Sequence, residues 1–387
     1  MPVVKPPRCK RRLRARLLLE DGTRIEGCGF GATGVRVGEV VFTTNMVGYP
    51  EALTDPSFRG QILVYTHPMV GNYGVPDPRI KVHGIPAHYE SDRIQVEGFI
   101  VTEETVPHHW ASVKTLHEWL RESNVPGMSR VDTRALVKRL REKGVMMGVL
   151  AVYEEGEEPD WEELREVLEK SPRYDDIRYA ELVSPTEPIT HKPEGIEAKY
   201  HVAMLDCGVK YGILRNLLSR GFQVTRYPCN TPPEKLVDGY DGVVLSNGPG
   251  NPALLEKQIE IVRGLLEYRV PILAICLGNQ LLALAHGAKI FKLKYGHRGP
   301  NKPVVDVTTG HCYITTQNHG YAIDAKSLEG TGLHVWFINP DDKTVEGLRH
   351  EKLPIVSTQF HPEASPGPWD TTWVFELYSK VIENSRG

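Results

Sequence analysis

Residues 271–287, PILAICLGNQLLALAHG, constrain the fold of this chain more than any other segment. A short apolar run ends at Cys276, and apolar residues at helical spacing follow it, which predicts a buried strand, a tight turn and a helix. At such a turn the free N–H groups of the helix lie beside the sulfur and favour its thiolate form. We expect an exposed sulfur that acts as a nucleophile, although a lone cysteine after an apolar run is more often an inert buried thiol.

A second segment, residues 354–363, ends in a histidine and a glutamate two positions apart. Its apolar residues predict a strand that runs into His361 and Glu363, and in extended chain positions i and i+2 face the same side. The carboxylate could therefore orient the imidazole ring. With Cys276, this gives a nucleophile, a base and an orienting acid in that chain order. Taken alone, a His-x-Glu sequence is more often a solvated surface pair.

A third segment, SNGPGNP at residues 246–252, follows an apolar strand pattern over 241–245. Two glycines and two prolines in seven residues predict a rigid loop whose backbone N–H groups can face an anion. The N–H of Gly248 or Gly250, together with that of Leu277, could form an oxyanion hole, where one donor typically lowers the barrier by about 2.7–4 kcal/mol. The alternative is an ordinary turn.

The composition indicates an ordinary soluble protein. The 387 residues suffice for two or three domains, and a net charge of −3 with 40% hydrophobic residues is unexceptional. No run approaches the roughly 18 apolar residues of a membrane helix, so we expect no membrane segment. The cysteines form no C-x-x-C pair and no zinc spacing, so we expect reduced thiols, no metal site and a cytoplasmic location. They are Cys9, Cys28, Cys207, Cys229, Cys276 and Cys312.

Two features of the N-terminal region could suggest nucleic-acid or nucleotide binding. Residues 5–16 contain seven lysines and arginines, but from Leu13 apolar residues alternate with arginines, which predicts a half-exposed strand. Residues 29–34 fit G-x-G-x-x-G, but a strand pattern follows where a dinucleotide site requires a helix. We therefore expect no nucleic-acid partner and no ATP site in this chain.

Two patterns divide the chain into an N-terminal domain, residues 1–150, and a C-terminal domain, residues 200–387. Short strand patterns separated by Gly, Pro and Asp turns predict a β-rich α+β N-terminal domain. Alternating strand and helix patterns predict an α/β C-terminal domain with a doubly wound, mostly parallel sheet and the candidate site at the carboxyl ends of its strands. The acidic and proline-rich residues 151–199 predict an interdomain connection containing one helix. The predicted helices of the first 170 residues cover 113–122, 133–143 and 160–170.

Together the three segments resemble the class I glutamine amidotransferase family. The C-x-G-x-Q elbow at residues 276–280, the G-P-G loop and the final H-P-E occur in the order of that family. The resemblance implies that Cys276 attacks the side-chain amide of glutamine, that His361 is the base and that Glu363 orients it. It also implies a set of glutamine-binding residues. These are Gly248, Gly250, Leu277, Gln280, Asn318, Gly320 and Tyr321, with Asn45 from the N-terminal domain.

The N-terminal half narrows the resemblance to one branch of this family. Residues 19–62, GNYG at residues 71–74 and SRVDTRALVKRLREKG at residues 129–144 resemble the N-terminal domain of carbamoyl-phosphate synthase small chains. In the second half, DCGVKYGILRNL, YGHRGPNKPV, QNHGYAI and HPEASPGP fit the same branch. The resemblance therefore covers essentially the whole chain.

This resemblance implies a glutaminase subunit without a cofactor of its own. Such a subunit hydrolyses glutamine to glutamate and ammonia through a cysteinyl thioester. It passes the ammonia to a large chain, which uses ATP and Mg to make carbamoyl phosphate from bicarbonate for arginine and pyrimidine biosynthesis. Two other functions stay open, a catalytically silent docking subunit and a stand-alone thiol hydrolase of γ-glutamyl compounds. The intact nucleophile and base argue against the first, and the N-terminal domain argues against the second.

Three positions depart from the commoner pattern of the family. Asn45 stands where a serine is usual, Asn279 where a histidine is common and Tyr321 where a phenylalanine is common. An asparagine can still form hydrogen bonds to a substrate carboxylate or ammonium group, and Tyr321 keeps the aromatic ring. Position 279 is outside the implied catalytic set.

Overall fold

The computed structural model describes residues 9–386 and divides into two compact units. The first unit contains Met1–Ile80 and Asp92–Ile177, and the second contains Lys81–Ser91 and Arg178–Gly387. One boundary falls inside residues 151–199, which we expected to be a connection, whereas Lys81–Ser91, which we placed in the N-terminal domain, belong to the second unit. Residues 1–8 lie outside the described part of the chain, and they include the first lysine and arginine of the basic segment.

Strands dominate the first unit, and strands alternate with helices in the second. The strands are β1 (Leu13–Leu19), β2 (Arg24–Gly31), β3 (Gly34–Thr43), β4 (Gln61–Val70), β5 (Val75–Pro76), β6 (Lys81–Val82), β7 (Ile85–Pro86), β8 (Gly98–Glu104), β9 (Ser112–Lys114), β10 (Pro126–Ser129), β11 (Met146–Glu154), β12 (Ile189–His191), β13 (Tyr200–Asp206), β14 (Phe222–Pro228), β15 (Gly242–Leu245), β16 (Ile272–Ile275), β17 (Ile290–Asp306), β18 (Cys312–Ile323), β19 (Leu333–Ile338), β20 (Val345–His350) and β21 (Ile355–Thr358). The helices are α1 (Tyr49–Thr54), α2 (Leu116–Glu122), α3 (Thr133–Lys143), α4 (Trp161–Lys170), α5 (Tyr179–Val183), α6 (Tyr211–Leu218), α7 (Pro233–Val237), α8 (Glu256–Glu267), α9 (Leu277–Ala285) and α10 (Trp373–Arg386).

The first unit is built on a closed seven-stranded barrel with the order β1-β11-β3-β4-β8-β10-β2. Closure leaves the barrel without an edge strand, and apolar side chains of its strands, such as Phe30, Leu63 and Phe99, form a buried cluster with residues of α1 and α2. The predicted half-exposed strand is confirmed as β1. Two of its arginines, Arg14 and Arg16, form ion pairs with glutamates of the same unit. The basic charge of this strand is therefore locally neutralised.

The second unit contains a ten-stranded sheet with the order β12-β14-β13-β15-β16-β21-β20-β19-β17-β18. Strands β14, β13, β15, β16 and β21 are parallel, and the strands beyond β21 pair antiparallel. Alternate residues of β13 enter two different core clusters: Val202 and Met204 enter one, and Ala203 and Leu205 the other. Both faces of the parallel sheet are therefore buried, as the predicted α/β architecture requires.

The order of the parallel strands positions the functional site. The chain runs from β13 through α6 to β14 on one side, whereas β15 and β16 lie on the other side of β13. Residues that follow β13, β15, β16 and β21 therefore meet near the point where the strand order reverses. Crevices at such a point, outside the carboxyl ends of the strands, are where open α/β sheets bind ligands.

Several local predictions can be compared with the structure. The predicted helix over 133–143 is confirmed as α3, which begins after the N-cap Asp132. The helix over 160–170 is confirmed as α4. The helix over 113–122 is too long, because β9 takes its first residues and a capping box at Thr115 starts α2. The proline-rich end of the expected connection contains β12, which pairs with β14.

The prediction that all six cysteines are reduced is wrong. Cys9 and Cys28 form a disulfide bond, with 5.3 Å between their Cα atoms. The barrel places Cys28 on β2 beside the chain at Cys9, and nothing in their spacing of 19 residues reveals this pairing. In the described part of the chain, no helix combines the length and the apolarity that crossing a bilayer requires.

Candidate active site

Cys276 lies between β16 and α9, at the N-cap position of the helix. Its backbone has φ 53° and ψ −101°, a conformation that costs a residue with a side chain about 1–3 kcal/mol and that is typical of functional sites. Gly278 permits the turn, because a Cβ atom at this position would lie 2.3 Å from the carbonyl oxygen of Leu245. The elbow is as predicted, but the exposed sulfur is not: Cys276 is only 2% exposed.

His361 and Glu363 form the predicted pair. The Nδ1 atom of His361 lies 2.7 Å from Oε1 of Glu363, and both side chains are fully buried. The Nε2 atom of His361 makes no hydrogen bond to a described residue and is the atom available for proton transfer. Burial lowers the pKa of His361, but the charges of Glu363 and Cys276 outweigh burial and raise this pKa to about 10. The ring is therefore held as an imidazolium beside the sulfur.

Lys210 is a member of this site that the sequence analysis missed. Its Nζ atom lies 2.9 Å from Oε1 of Glu363, and its side chain is 3% exposed. Burial alone would raise the pKa of Glu363, but Lys210 and His361 lower it far below its usual range. Lys210 follows β13 and directly precedes α6, the kind of position from which we predicted the other site residues. Its place inside the DCGVKYG motif was a usable signal.

The glycine loop after β15 is held in place from two sides. The hydroxyl oxygen of Ser246 accepts a hydrogen bond from the N–H of Cys207, and the carbonyl oxygen of Ser246 accepts one from the N–H of Gly278. Gly248 cannot carry a side chain, because a Cβ atom there would lie 2.3 Å from the carbonyl oxygen of Cys207. Gly250 has φ 96°, which favours glycine. The loop is therefore a fixed part of the site rather than an ordinary turn.

Strand β18 brings further predicted residues to the elbow. The carbonyl oxygen of Asn318 lies 3.7 Å from the sulfur of Cys276. The side-chain amide of Gln280, on α9, donates to the carbonyl oxygen of Tyr321 over 2.9 Å. Gly320 lies between these two residues of β18, and Leu277 is the first residue of α9. Seven of the eight predicted glutamine-binding residues thus belong to the same unit as the nucleophile.

Asn45 is the exception. It lies in the first unit, shortly after β3, and is 8% exposed. Its Oδ1 atom accepts a hydrogen bond from the hydroxyl of Thr43 over 2.8 Å. Its role in binding glutamine remains a prediction.

Asn279 stands where a histidine is common in the family, and its contacts show what the asparagine side chain does here. Its Nδ2 atom donates to Oε1 of Gln359 over 3.1 Å, and its Oδ1 atom accepts from the hydroxyl of Ser357. The other end of the Gln359 amide lies 3.6 Å from the sulfur of Cys276. Gln359, which the sequence analysis did not single out, therefore contacts the nucleophile, and Asn279 orients it.

Comparison with known proteins decides the family. The model of the class-I glutamine amidotransferase family matches residues 203–381, and that of the carbamoyl-phosphate synthase small chain, CPSase domain, matches residues 17–150. The carbamoyl phosphate synthase small chain of Sulfurisphaera tokodaii is 55% identical over 97% of this chain and 99% of the relative. The protein of the same name from Pyrococcus furiosus is 53% identical over 96% of this chain and 98% of the relative.

The chain belongs to the carbamoyl phosphate synthase small chain family. A relative from Chaetomium globosum, named as an arginine-specific small chain, is 45% identical over 95% of this chain and 78% of the relative. Both resemblances drawn from the sequence are confirmed. The class-I domain contains Lys210, Cys276, His361 and Glu363, and the small-chain domain covers the barrel from the end of β1 to the first five residues of β11.

Proposed function

We propose that this chain is the glutaminase subunit of a carbamoyl-phosphate synthase. The observation that carries the proposal is the triad Cys276, His361 and Glu363, assembled beside the glycine loop in a chain of the small-chain family. The triad offers a nucleophile, a proton carrier and an orienting carboxylate in a buried site. It also argues against a catalytically silent docking subunit.

In the proposed reaction the thiolate of Cys276 attacks the side-chain carbonyl carbon of glutamine, and a C–S bond forms. The N–H of Cys276 donates to Thr358 and that of Gly278 to Ser246, so neither can hold the developing oxyanion. The N–H of Leu277, in the first turn of α9, has no acceptor within the helix and is the donor we assign, together with one from the glycine loop.

His361 then gives the proton on Nε2 to the departing nitrogen, the C–N bond breaks and ammonia leaves. The product is a glutamyl thioester on Cys276. The neutral imidazole next removes a proton from water, which attacks the thioester and releases glutamate with the restored thiolate. Glu363 remains ionised throughout and holds the ring through Nδ1.

Ammonia in neutral water becomes ammonium, which is not a nucleophile. We therefore propose that it passes to a large chain that uses ATP and Mg to combine it with bicarbonate and so forms carbamoyl phosphate. This product would serve arginine and pyrimidine biosynthesis, and the name of the Chaetomium relative supports the arginine branch. We propose that this reaction takes place in the cytoplasm. We assign no cofactor to the chain itself for this reaction.

The test measures glutamine hydrolysis by the purified chain, by the chain with its large partner, and by the complex with ATP and bicarbonate. We expect slow hydrolysis by the chain alone and a clear acceleration in the full mixture, with carbamoyl phosphate formed from glutamine. Absence of glutamine-dependent carbamoyl phosphate would contradict the proposal. An unchanged hydrolysis rate in all three mixtures would instead favour a stand-alone hydrolase.

A further inference from the structure

His297, His319 and Glu346 form a buried group in the antiparallel part of the ten-stranded sheet. They lie on β17, β18 and β20, and the register pairs His297 directly with His319. One nitrogen or oxygen atom from each side chain lies within 4.8 Å of the other two. None of the three belongs to the catalytic triad, so the proposed reaction does not account for these buried polar side chains.

The contacts of His319 decide which of its ring nitrogens carries the hydrogen. The Nδ1 atom lies 2.8 Å from the carbonyl oxygen of Tyr321, which can only accept, so Nδ1 carries it. The side chain of His319 is 1% exposed, and an imidazole ring in its neutral form carries a hydrogen on only one of its two nitrogens. The Nε2 atom therefore presents a lone pair.

Two side-chain oxygen atoms face this lone pair. Glu346 Oε2 lies 3.8 Å from Nε2 of His319 and has no hydrogen-bond partner among the described residues, and Gln317 Oε1 lies 3.4 Å from the same nitrogen. The Gln317 amide cannot be reversed, because its Nε2 atom donates to Thr315, whose own hydroxyl hydrogen goes to the carbonyl oxygen of Lys302. Three acceptor atoms thus converge in a buried place, which is costly unless a cation or a proton lies between them.

His297 completes the arrangement. Its Nδ1 atom lies 3.2 Å from Glu346 Oε1, and its Nε2 atom lies 2.8 Å from Asp342 Oδ2. Metal-bound histidines almost always give their second ring nitrogen to a carboxylate or a backbone carbonyl. Both histidines follow this rule, since Asp342 holds one and the carbonyl of Tyr321 holds the other.

The spacing of the facing atoms also suits a metal ion. Zinc bonds of about 2.0–2.1 Å in a tetrahedral site place neighbouring ligand atoms about 3.3 Å apart. Oε1 of Glu346 lies 3.2 Å from Nδ1 of His297, and Oε2 of Glu346 lies 3.8 Å from Nε2 of His319, so each histidine faces one of the two carboxylate oxygens. One ligand atom of each of the three side chains lies within 4.8 Å of the other two, so an ion bound between them would draw them closer together.

We propose that His297 Nδ1, His319 Nε2 and the carboxylate of Glu346 bind one divalent transition metal ion, with zinc as the preferred ion. Two imidazoles and one carboxylate are a known zinc donor set, and Gln317 Oε1, 3.4 Å from Nε2 of His319, lies beside them as a candidate fourth donor. Binding requires that Nδ1 of His297 carries no hydrogen, so zinc competes with protons for this atom. Through His319, the ion would fix the part of β18 next to Asn318. The proposed metal site does not require that Asn318 binds glutamine.

The test measures zinc binding by the full chain after chelator treatment, by calorimetry and elemental analysis. A Cys276→Ser background prevents zinc from binding at the nucleophile. We expect one zinc per chain and a Tm that rises with zinc concentration. Asp342→Asn should weaken binding about 10–100-fold, and Glu346→Gln should weaken it further. Asp341→Asn, an exposed neighbour with the same change of charge, should leave the affinity unchanged.

Cobalt provides an independent readout. We expect Co2+ to give the absorption of a four-coordinate nitrogen and oxygen site, without a thiolate band, in the Cys276→Ser chain. Circular dichroism without metal shows whether each variant folds. If Glu346→Gln fails to fold, the zinc affinities of the surface variants Asp342→Asn and Asp341→Asn are compared instead. The proposal would be overturned if the chain did not retain one zinc ion, or if these two variants bound zinc equally well. His297, His319 and Glu346 would then be a hydrogen-bonded polar cluster that binds protons and no metal.

Discussion

The Nζ atom of Lys210 lies 2.9 Å from Oε1 of Glu363, and both side chains are buried. The same oxygen accepts from the histidine of the triad, so one carboxylate serves two cations. Desolvation of a buried ion pair is repaid only when geometry and hydrogen bonding are good. The carboxylate is therefore held ionised by Lys210 as well as by the histidine.

Lys210→Met should lower both stability and turnover. Removing one partner of a buried pair typically costs about 3–5 kcal/mol, because the remaining charge is uncompensated. We also expect kcat for glutamine hydrolysis to fall more than KM rises, since Lys210 acts through Glu363. Urea unfolding and steady-state kinetics measure these effects. Lys257→Met, at an exposed position of α8, is the control and should change neither quantity.

The double variant Lys210→Met with Glu363→Gln separates this pair from general damage. The effects of substituting two residues in direct contact usually do not add, so the double variant should lose less stability than the sum of the two single losses. Strict additivity in the unfolding free energies would show that Lys210 does not act on Glu363.

Cys276→Ser should abolish glutamine-dependent carbamoyl phosphate synthesis. The hydroxyl of serine ionises far less readily than a thiol, and the imidazolium beside this position suits a thiolate. Synthesis from ammonia should survive in the complex, because that chemistry is assigned to the large chain. The measurement compares the two nitrogen sources, and substantial glutaminase turnover in the variant would remove Cys276 from its role.

His361→Asn should lose most turnover and keep glutamine binding. The structure leaves only Nε2 of His361 for proton transfer, and its other nitrogen is held by Glu363. Glu363→Gln should be milder, because an amide oxygen can still accept from Nδ1. Steady-state kinetics would exclude this assignment if His361→Asn raised KM and left kcat unchanged.

The triad should also shape the dependence of stability on pH. His361 has a raised pKa of about 10 against 6.5 in the unfolded chain, so its contribution is complete below pH 6.5 and is lost as the pH rises towards 10. Glu363 has a lowered pKa, so its contribution is complete above about pH 4.5 and is lost on further acidification. Between pH 6.5 and pH 10, the free energy of unfolding measured in urea should fall more for the wild type than for His361→Asn. Equal falls would show that the folded protein does not raise this pKa.

Reduction of the Cys9–Cys28 disulfide should destabilise the first unit. A cross-link that closes a loop of about 20 residues typically contributes about 3 kcal/mol, mostly through the unfolded chain. Cys28→Ser should therefore lower the free energy of unfolding, whereas Cys312→Ser, at an exposed free cysteine, should not. Alkylation under denaturing conditions followed by mass spectrometry checks the bond, and six reactive thiols would contradict it.

The sequence predicted those parts of the molecule that follow from local pattern. Helix α3 has a cap, a periodic apolar face and a terminal glycine, and both its ends were placed correctly. Cys276 and its elbow were recognised because strand, turn and helix are contiguous. The start of α2 was misplaced because the pairing of β9 with β5 draws its first residues into a strand.

Contacts between distant segments could not be predicted in this way. Lys210 and Glu363 are brought together only by the order of the parallel strands, and Cys9 meets Cys28 because the chain before β1 lies beside β2, which pairs with β1. Burial of the Cys276 sulfur also depends on residues contributed by β18 and by the chain after β21. No periodicity within a single segment carries this information.

The backbone of Cys276 limits how stable the second unit can become. Glycine would adopt φ 53° without the penalty that a side chain incurs there, so selection for stability alone would favour its replacement. The strained conformation therefore indicates that selection has kept the cysteine for its catalytic role, at a cost in stability. A small chain that had lost glutamine hydrolysis would no longer be held to this residue. Drift towards glycine at this single position would then mark members of the family that have become purely structural.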